Sequence, residues 1–148
     1  SYHIIYNETL RDRVCAVSNK THYNEMNVLS MHALIGAYQP QGYEWVDELN
    51  QVLAGNIEYF CAYAEKHWKG VAFSRPQGTY MVFLDCTEWC REHGRDIQWL
   101  LDEGARVGVG YQDGRPFHGS CHIRVNLALP LSRVREACDR LDRYVFRV

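Results

Sequence analysis

The sequence predicts an α+β domain in which a small, mostly antiparallel sheet is covered by helices. Three observations lead there. Residues 122–129 alternate strictly, with Ile123, Val125, Leu127 and Leu129 on one face and His122, Arg124, Asn126 and Ala128 on the other, which is the period of a half-buried strand. Residues 43–68 place apolar side chains at helical spacing, from Trp45, Val46 and Leu49 through Val52, Leu53, Ile57, Phe60 and Tyr63 to Ala64,. Arg75-Pro76-Gln77-Gly78 is turn chemistry between two apolar runs,.

The elements follow in order. Residues 2–6 read as a short strand, set far in sequence from the others. Asn7 caps a helix through Leu10 and Val14, with Glu8 favourable in its first turn,. Residues 18–24 read as a polar loop. A second helix runs over 25–38, ended by Pro40 and Gly42,. The long helix over 43–68 stops at Gly70. Strands at 71–73 and 79–85 follow, the second apolar on both faces and so expected to be central. Residues 86–90 read as a strand end entering a turn. Asp96 caps a short helix that Gly104 closes,. Residues 107–114 are glycine-rich, the last strand is 122–129, and Ser132 caps a final helix that buries Val134, Cys138, Leu141 and Val145.

Composition narrows the function classes. The chain has 148 residues, 47% hydrophobic and 23% charged, with a formal net charge of −2. These values suit one globular domain. They exclude a disordered chain and offer no electrostatic footprint for nucleic acid. No apolar run approaches the roughly 18 residues of a membrane span. No leader is evident at the start, so the expected location is cytoplasmic, without membrane or nucleic-acid partners.

The six cysteines are Cys15, Cys61, Cys86, Cys90, Cys121 and Cys138. They read as free thiols, since a chain of this length needs no disulfide staples. Cys61 and Cys138 fall on apolar helix faces, where cysteine acts as a small hydrophobe. Cys86, Cys90 and Cys121 make one knuckle and one Cys-His dipeptide, short of the paired knuckles of structural zinc.

Arg124 is the most informative side chain. Mid-strand, on the polar face and beside Asn126, it is either an ordinary solvent-facing arginine or a rigid fork that takes a carboxylate bidentately. The 108–114 stretch is either a plain turn region or a loop that lets a ligand approach the backbone. His118, Cys121 and His122 lack the remaining parts of a cysteine nucleophile site. Lys20 sits in a polar loop, the wrong setting for a Schiff-base lysine.

Taken together, the pieces resemble a known family. Residues 2–11 (Tyr-His-Ile-Ile-Tyr-Asn-Glu-Thr-Leu-Arg) are similar to the segment shortly after the cofactor lysine in fold-type I pyridoxal-phosphate enzymes. More narrowly, they resemble the cystathionine β-lyase (C–S lyase) branch of the class I/II aminotransferases. Ala37-Tyr38, then Gly42-Tyr43-Glu44-Trp45-Val46-Asp47-Glu48-Leu49, then Asn56, then residues 76–85 (Pro-Gln-Gly-Thr-Tyr-Met-Val-Phe-Leu-Asp) and residues 122–132 follow in the family's order.

That resemblance implies that residues 1–42 are the tail of a large cofactor-binding domain, with two helices and an orphan strand prone to self-association. Residues 43–148 are then a bridging helix and a small C-terminal domain. Arg124 becomes the arginine that binds the substrate's α-carboxylate, and Asn126, Gly110 and Tyr111 join it as expected substrate-binding residues. Val109 stands where the family carries proline, and Asp113 where it carries an aromatic, which leaves substrate identity open. The family's Schiff-base lysine, pyridine-pairing aspartate and phosphate-binding residues lie upstream of the matched region. The expected function is therefore a C-terminal fragment of a PLP-dependent aminotransferase or C–S β-lyase that acts on amino acids. Pyridoxal phosphate is expected in a homodimeric full-length protein, and the isolated chain is expected to bind no cofactor or metal and to be inactive. The alternative is a stand-alone, non-catalytic small-molecule-binding or regulatory module. A zinc module built on Cys86, Cys90 and Cys121 is the third reading.

Overall fold

A computed structural model describes residues 3–22 and 25–147. The chain divides into two compact units, Ser1–Trp45 and Val46–Val148. The first holds helices α1 (Glu8–Thr21) and α2 (Val28–Ala37) and the opening turns of α3 (Pro40–His67). The second holds the rest of α3, then β1 (Ala72–Phe73), β2 (Met81–Asp85), α4 (Thr87–His93), α5 (Ile97–Arg106), β3 (Gln112–Asp113), β4 (His122–Asn126) and α6 (Leu131–Leu141). A 3-10 turn covers Arg115–Phe117, and α6 passes into a π-helical turn over Asp142–Phe146.

In the first unit the caps form as their chemistry dictates. Asn7 accepts from the Leu10 N–H at 2.9 Å, and Asn27 from the Ser30 N–H at 2.8 Å, each satisfying an orphan donor of the first turn. Asn27 thus starts α2 three residues later than the periodicity suggests. Pro40 does not end α2 from outside; it opens α3, where its missing N–H costs nothing,. The polar run from Ser18 continues α1 to Thr21, whose hydroxyl bonds back to the Val17 carbonyl at 2.8 Å. Tyr23 and Asn24 of the expected loop lie outside the described residues. No residue of α1 or α2 is buried.

The strand expected over 2–6 is an orphan, one without a partner in this chain. Tyr2 lies outside the described residues, and 3–6 carry no strand structure. A strand exists only through a partner's hydrogen bonds, and the sheet pairs other segments.

The second unit is built on that sheet. Its order is β1-β2-β4-β3, antiparallel throughout. Val82 and Leu84 of β2 and Ile123 and Val125 of β4 are buried, together with Leu127 just beyond. They join one core with Phe60, Cys61, Ala64 and Trp68 from α3 and its end, and Trp89 and Cys90 from α4. Ile97 and Leu100 of α5 and Val134, Cys138 and Leu141 of α6 belong to it too, with Cys86 just before α4 and Val145 and Phe146 just after α6. The long helix contributes only its C-terminal half. Trp45, Val46 and Val52, part of the helically spaced apolar series, are exposed.

Several further boundaries move for physical reasons. Residues 87–93 form α4 rather than a turn, because Asp85 accepts from the Thr87 N–H at 2.9 Å and its hydroxyl at 2.5 Å and starts a helix there. Gly104 does not close α5. The helix runs to Arg106, and Gly108, at φ 74°, takes the left-handed exit,. The glycine-rich stretch is not a plain turn, since it contains β3. Strand β4 stops at Asn126, and Leu129, expected on the core face, is exposed. Pro130, not Ser132, occupies the cap of α6, with no side-chain cap bond. Among the described residues no helix is long and apolar enough to cross a membrane.

Candidate carboxylate-binding site

Strand β4 aims Arg124 by alternation alone. Ile123 and Val125 are anchored in the core, so Arg124 must leave by the opposite face,. It is flanked on both sides, since the register sets Phe83 of β2 opposite it in one ladder and Gln112 of β3 opposite it in the other. A cavity of about 400 Å³ opens here, lined by Tyr80, Met81, Gly110, Tyr111, Gln112, Arg124 and Asn126. All four residues expected to bind substrate line this one cavity.

Their chemistry differs. Arg124 is half-buried. Its Nη1 donates to Gln112 Oε1 at 3.0 Å, and its Cζ lies 4.6 Å from the centre of the Phe117 ring. Among the described residues no carboxylate is within ion-pair distance of it. The neighbouring acid, Asp113, is held by Arg115 at 2.6 Å. Asn126 accepts the Ala128 N–H at 2.8 Å, which turns the chain out of β4. Gly110 has open space where a Cβ would stand.

The Tyr111 hydroxyl is not presented to the cavity. It donates to the Leu100 carbonyl of α5, and burial pushes the phenol up from its ordinary pKa. This explains Gly104, because a Cβ there would stand 2.5 Å from the Tyr111 hydroxyl oxygen. Gly104→Ala is therefore expected to displace Tyr111 and cost roughly 1–2 kcal/mol, read as a lower urea midpoint. An unchanged midpoint would refute the close approach.

Behind the site, Asn56 of α3 is 1% exposed, and its Nδ2 donates to the Leu127 and Leu129 carbonyls at 2.8 and 2.7 Å. This bond pair fixes the path of the chain as it leaves β4. At the other end of the strand, His122 lies against Phe83 with ring centroids 4.7 Å apart and planes tilted by 32°, its Nδ1 3.8 Å from Asp85. Burial alone would raise the Asp85 pKa. The Thr87 N–H and hydroxyl and His122 outweigh it and hold the carboxyl below its usual range.

The remaining candidates do not assemble. Burial, then the hydrogen bond with Cys121, pushes the Cys90 thiol up to about 12, and burial also raises Cys86, so both stay protonated and inert. His118 is exposed in a left-handed turn. No group of three or more His, Cys, Asp or Glu is placed to hold a metal among the described residues. Lys20, Lys66 and Lys69 are all exposed, and none lines the cavity.

Sequence reasoning did not reach Gln112 or Phe117. An antiparallel register drawn between 112–113 and 123–124 would have found Gln112. Nothing local marks Phe117, which reaches Arg124 through the 3-10 turn.

Comparison with known proteins follows the same lines. No family model matches the chain. A protein named "Putative cystathionine beta-lyase" from Mycobacterium leprae is 33% identical over 118 residues, 69% of this chain and 28% of its own length. One of the same name from Mycobacterium tuberculosis is 30% identical over 122 residues, 69% of this chain and 29% of its own. The chain thus spans under a third of these relatives. Among solved structures, the PLP-bound C–S lyase from Staphylococcus hominis matches at a TM-score of 0.80 and 25% identity, covering 97% of this chain and 37% of its own. Cystalysin from Treponema denticola matches at a TM-score of 0.80 and 23% identity, over 96% and 36%. The chain belongs to the fold-type I pyridoxal-phosphate enzymes, as a C-terminal part of one. Its relatives carry the name "Putative cystathionine beta-lyase", and the solved structures that match it carry the names of C–S lyases and aminotransferases.

Proposed function

We propose that this chain is the substrate-carboxylate side of a PLP-dependent enzyme that acts on amino acids, by transamination or by β-elimination of a sulfur substituent. The observation that carries the reading is Arg124. It is a half-buried guanidinium on a rigid strand, open to a cavity, with no carboxylate partner among the described residues. Such a fork takes a carboxylate bidentately, and holding the carboxylate fixes the direction in which the bonds at Cα point. Asn126 and Gly110 border the same cavity and shape the approach. Tyr111 supports the wall from behind.

The residues present do not by themselves seat the cofactor. A Schiff-base lysine needs a desolvated pocket, and the three lysines of this chain are exposed. We assign pyridoxal phosphate, with its lysine, to the rest of a homodimeric full-length protein, and we expect the 148-residue chain alone to be inactive.

The test uses the full-length protein, supplied with an amino acid that bears sulfur on its β-carbon and, separately, with an amino donor and a 2-oxo acid. Release of thiol, ammonia and pyruvate marks a lyase. Formation of a new amino acid marks an aminotransferase. Neither product, with carboxylate ligands still bound, overturns the enzyme reading in favour of a binding module.

A further inference from the structure

The two groups that hold Arg124 carry no charge, and that has a consequence for the substrate. Gln112 stands directly opposite it in the β3–β4 ladder and accepts one of its N–H groups at 3.0 Å. The Phe117 ring covers one face of the guanidinium at 4.6 Å. An acid in Gln112's place would make the same contact and also neutralise the arginine. The acid next in sequence, Asp113, leaves β3 by the opposite face. Arg115 engages it at 2.6 Å, itself braced by Gln98 at 3.1 Å. The positive charge of Arg124 is therefore oriented without being cancelled.

We propose that Gln112 and Phe117 are positioning residues for the substrate carboxylate, fixing one N–H and one face of the Arg124 guanidinium and leaving its charge and remaining N–H groups for the ligand. This rests on the reading of Arg124 given above. The amide supplies direction through its carbonyl oxygen. The ring supplies a flat surface that keeps water from one side of the guanidinium and favours the cation by its quadrupole. Both act through Arg124 and touch no reacting atom.

The experiment is a kinetic comparison in the full-length enzyme. Gln112→Glu places a carboxylate where the amide oxygen stands. It is expected to raise the KM for the amino acid about tenfold, with a much smaller change in kcat, because an internal acid then competes for the fork. Phe117→Leu keeps apolar bulk but loses the ring, and is expected to raise KM roughly threefold. Phe117→Tyr, which retains an aromatic face, should raise it less. A merely structural role would lower the melting temperature and leave the KM-against-kcat split unmoved. Arg124→Ala is measured alongside. If it raises KM while Gln112→Glu and Phe117→Leu leave KM unchanged, the positioning role is overturned and the reading of Arg124 stands. If Arg124→Ala itself leaves KM unchanged, the reading of the site fails first.

Discussion

Arg124→Ala in the full-length enzyme is expected to lower kcat/KM for an amino acid about 100-fold, which corresponds to roughly 2.7 kcal/mol of lost transition-state binding. The magnitude is that of a charge-assisted, two-pronged hydrogen bond to a carboxylate, at ~1.5–3 kcal/mol for bonds to a charged group. Most of the loss should appear in KM, because the carboxylate is bound before and during the reaction. Part should appear in kcat, because a loosely held substrate samples unproductive orientations at Cα. Arg124→Lys restores the charge without the fork, so it should fall between the two. An amine that lacks the α-carboxylate should react equally poorly with both enzymes. The urea midpoint should barely move, since Arg124 leaves the sheet on the face opposite the core. Unchanged kcat/KM with the amino acid would refute the assignment.

Asn56→Leu is expected to destabilise the chain by about 3 kcal/mol. Asn56 is buried at 1% exposure and ties α3 to the chain leaving β4 through two carbonyls, Leu127 and Leu129. Leucine of similar size fills the space but donates nothing. Leaving a buried acceptor without its donor costs ~1–3 kcal/mol. The Leu127 carbonyl retains one partner, the Leu129 N–H at 2.9 Å, so the two losses do not add fully. Urea unfolding followed by tryptophan fluorescence reads the effect directly, since Trp68 and Trp89 lie in the same core. Because this exit follows Asn126 immediately, the same variant in the full-length enzyme should also weaken amino-acid use. An unchanged midpoint would show that the carboxamide bonds contribute nothing net.

Much of the fold was legible because its elements are periodic or capped. The alternation over 122–127 and the helical spacing of Val134, Cys138, Leu141 and Val145 each put the right side chains in the core. Asn7 and Asp96 marked helix starts because a cap is a local hydrogen bond, as the 2.8 Å contact from the Trp99 N–H to Asp96 shows,. What was missed depends on distant partners. Gly104 has the composition of a helix stop, yet it is small because Tyr111 lies against it. The two-residue strand β3 is too short to show any period, so it passed for a turn, and with it went Gln112.

By itself, then, the sequence determined the α+β class, the two faces of β4 and the exit of Arg124 away from the core. Alternation along a strand and spacing along a helix are properties of the local chain. The tertiary structure decided what Arg124 meets. It brought Gly110, Tyr111 and Asn126 to one cavity with it, withdrew the Tyr111 hydroxyl to α5, and set Gln112 and Phe117 around the guanidinium. Those contacts come from a short antiparallel pairing and a turn, where no repeating pattern announces the partner and only the folded register brings the groups together.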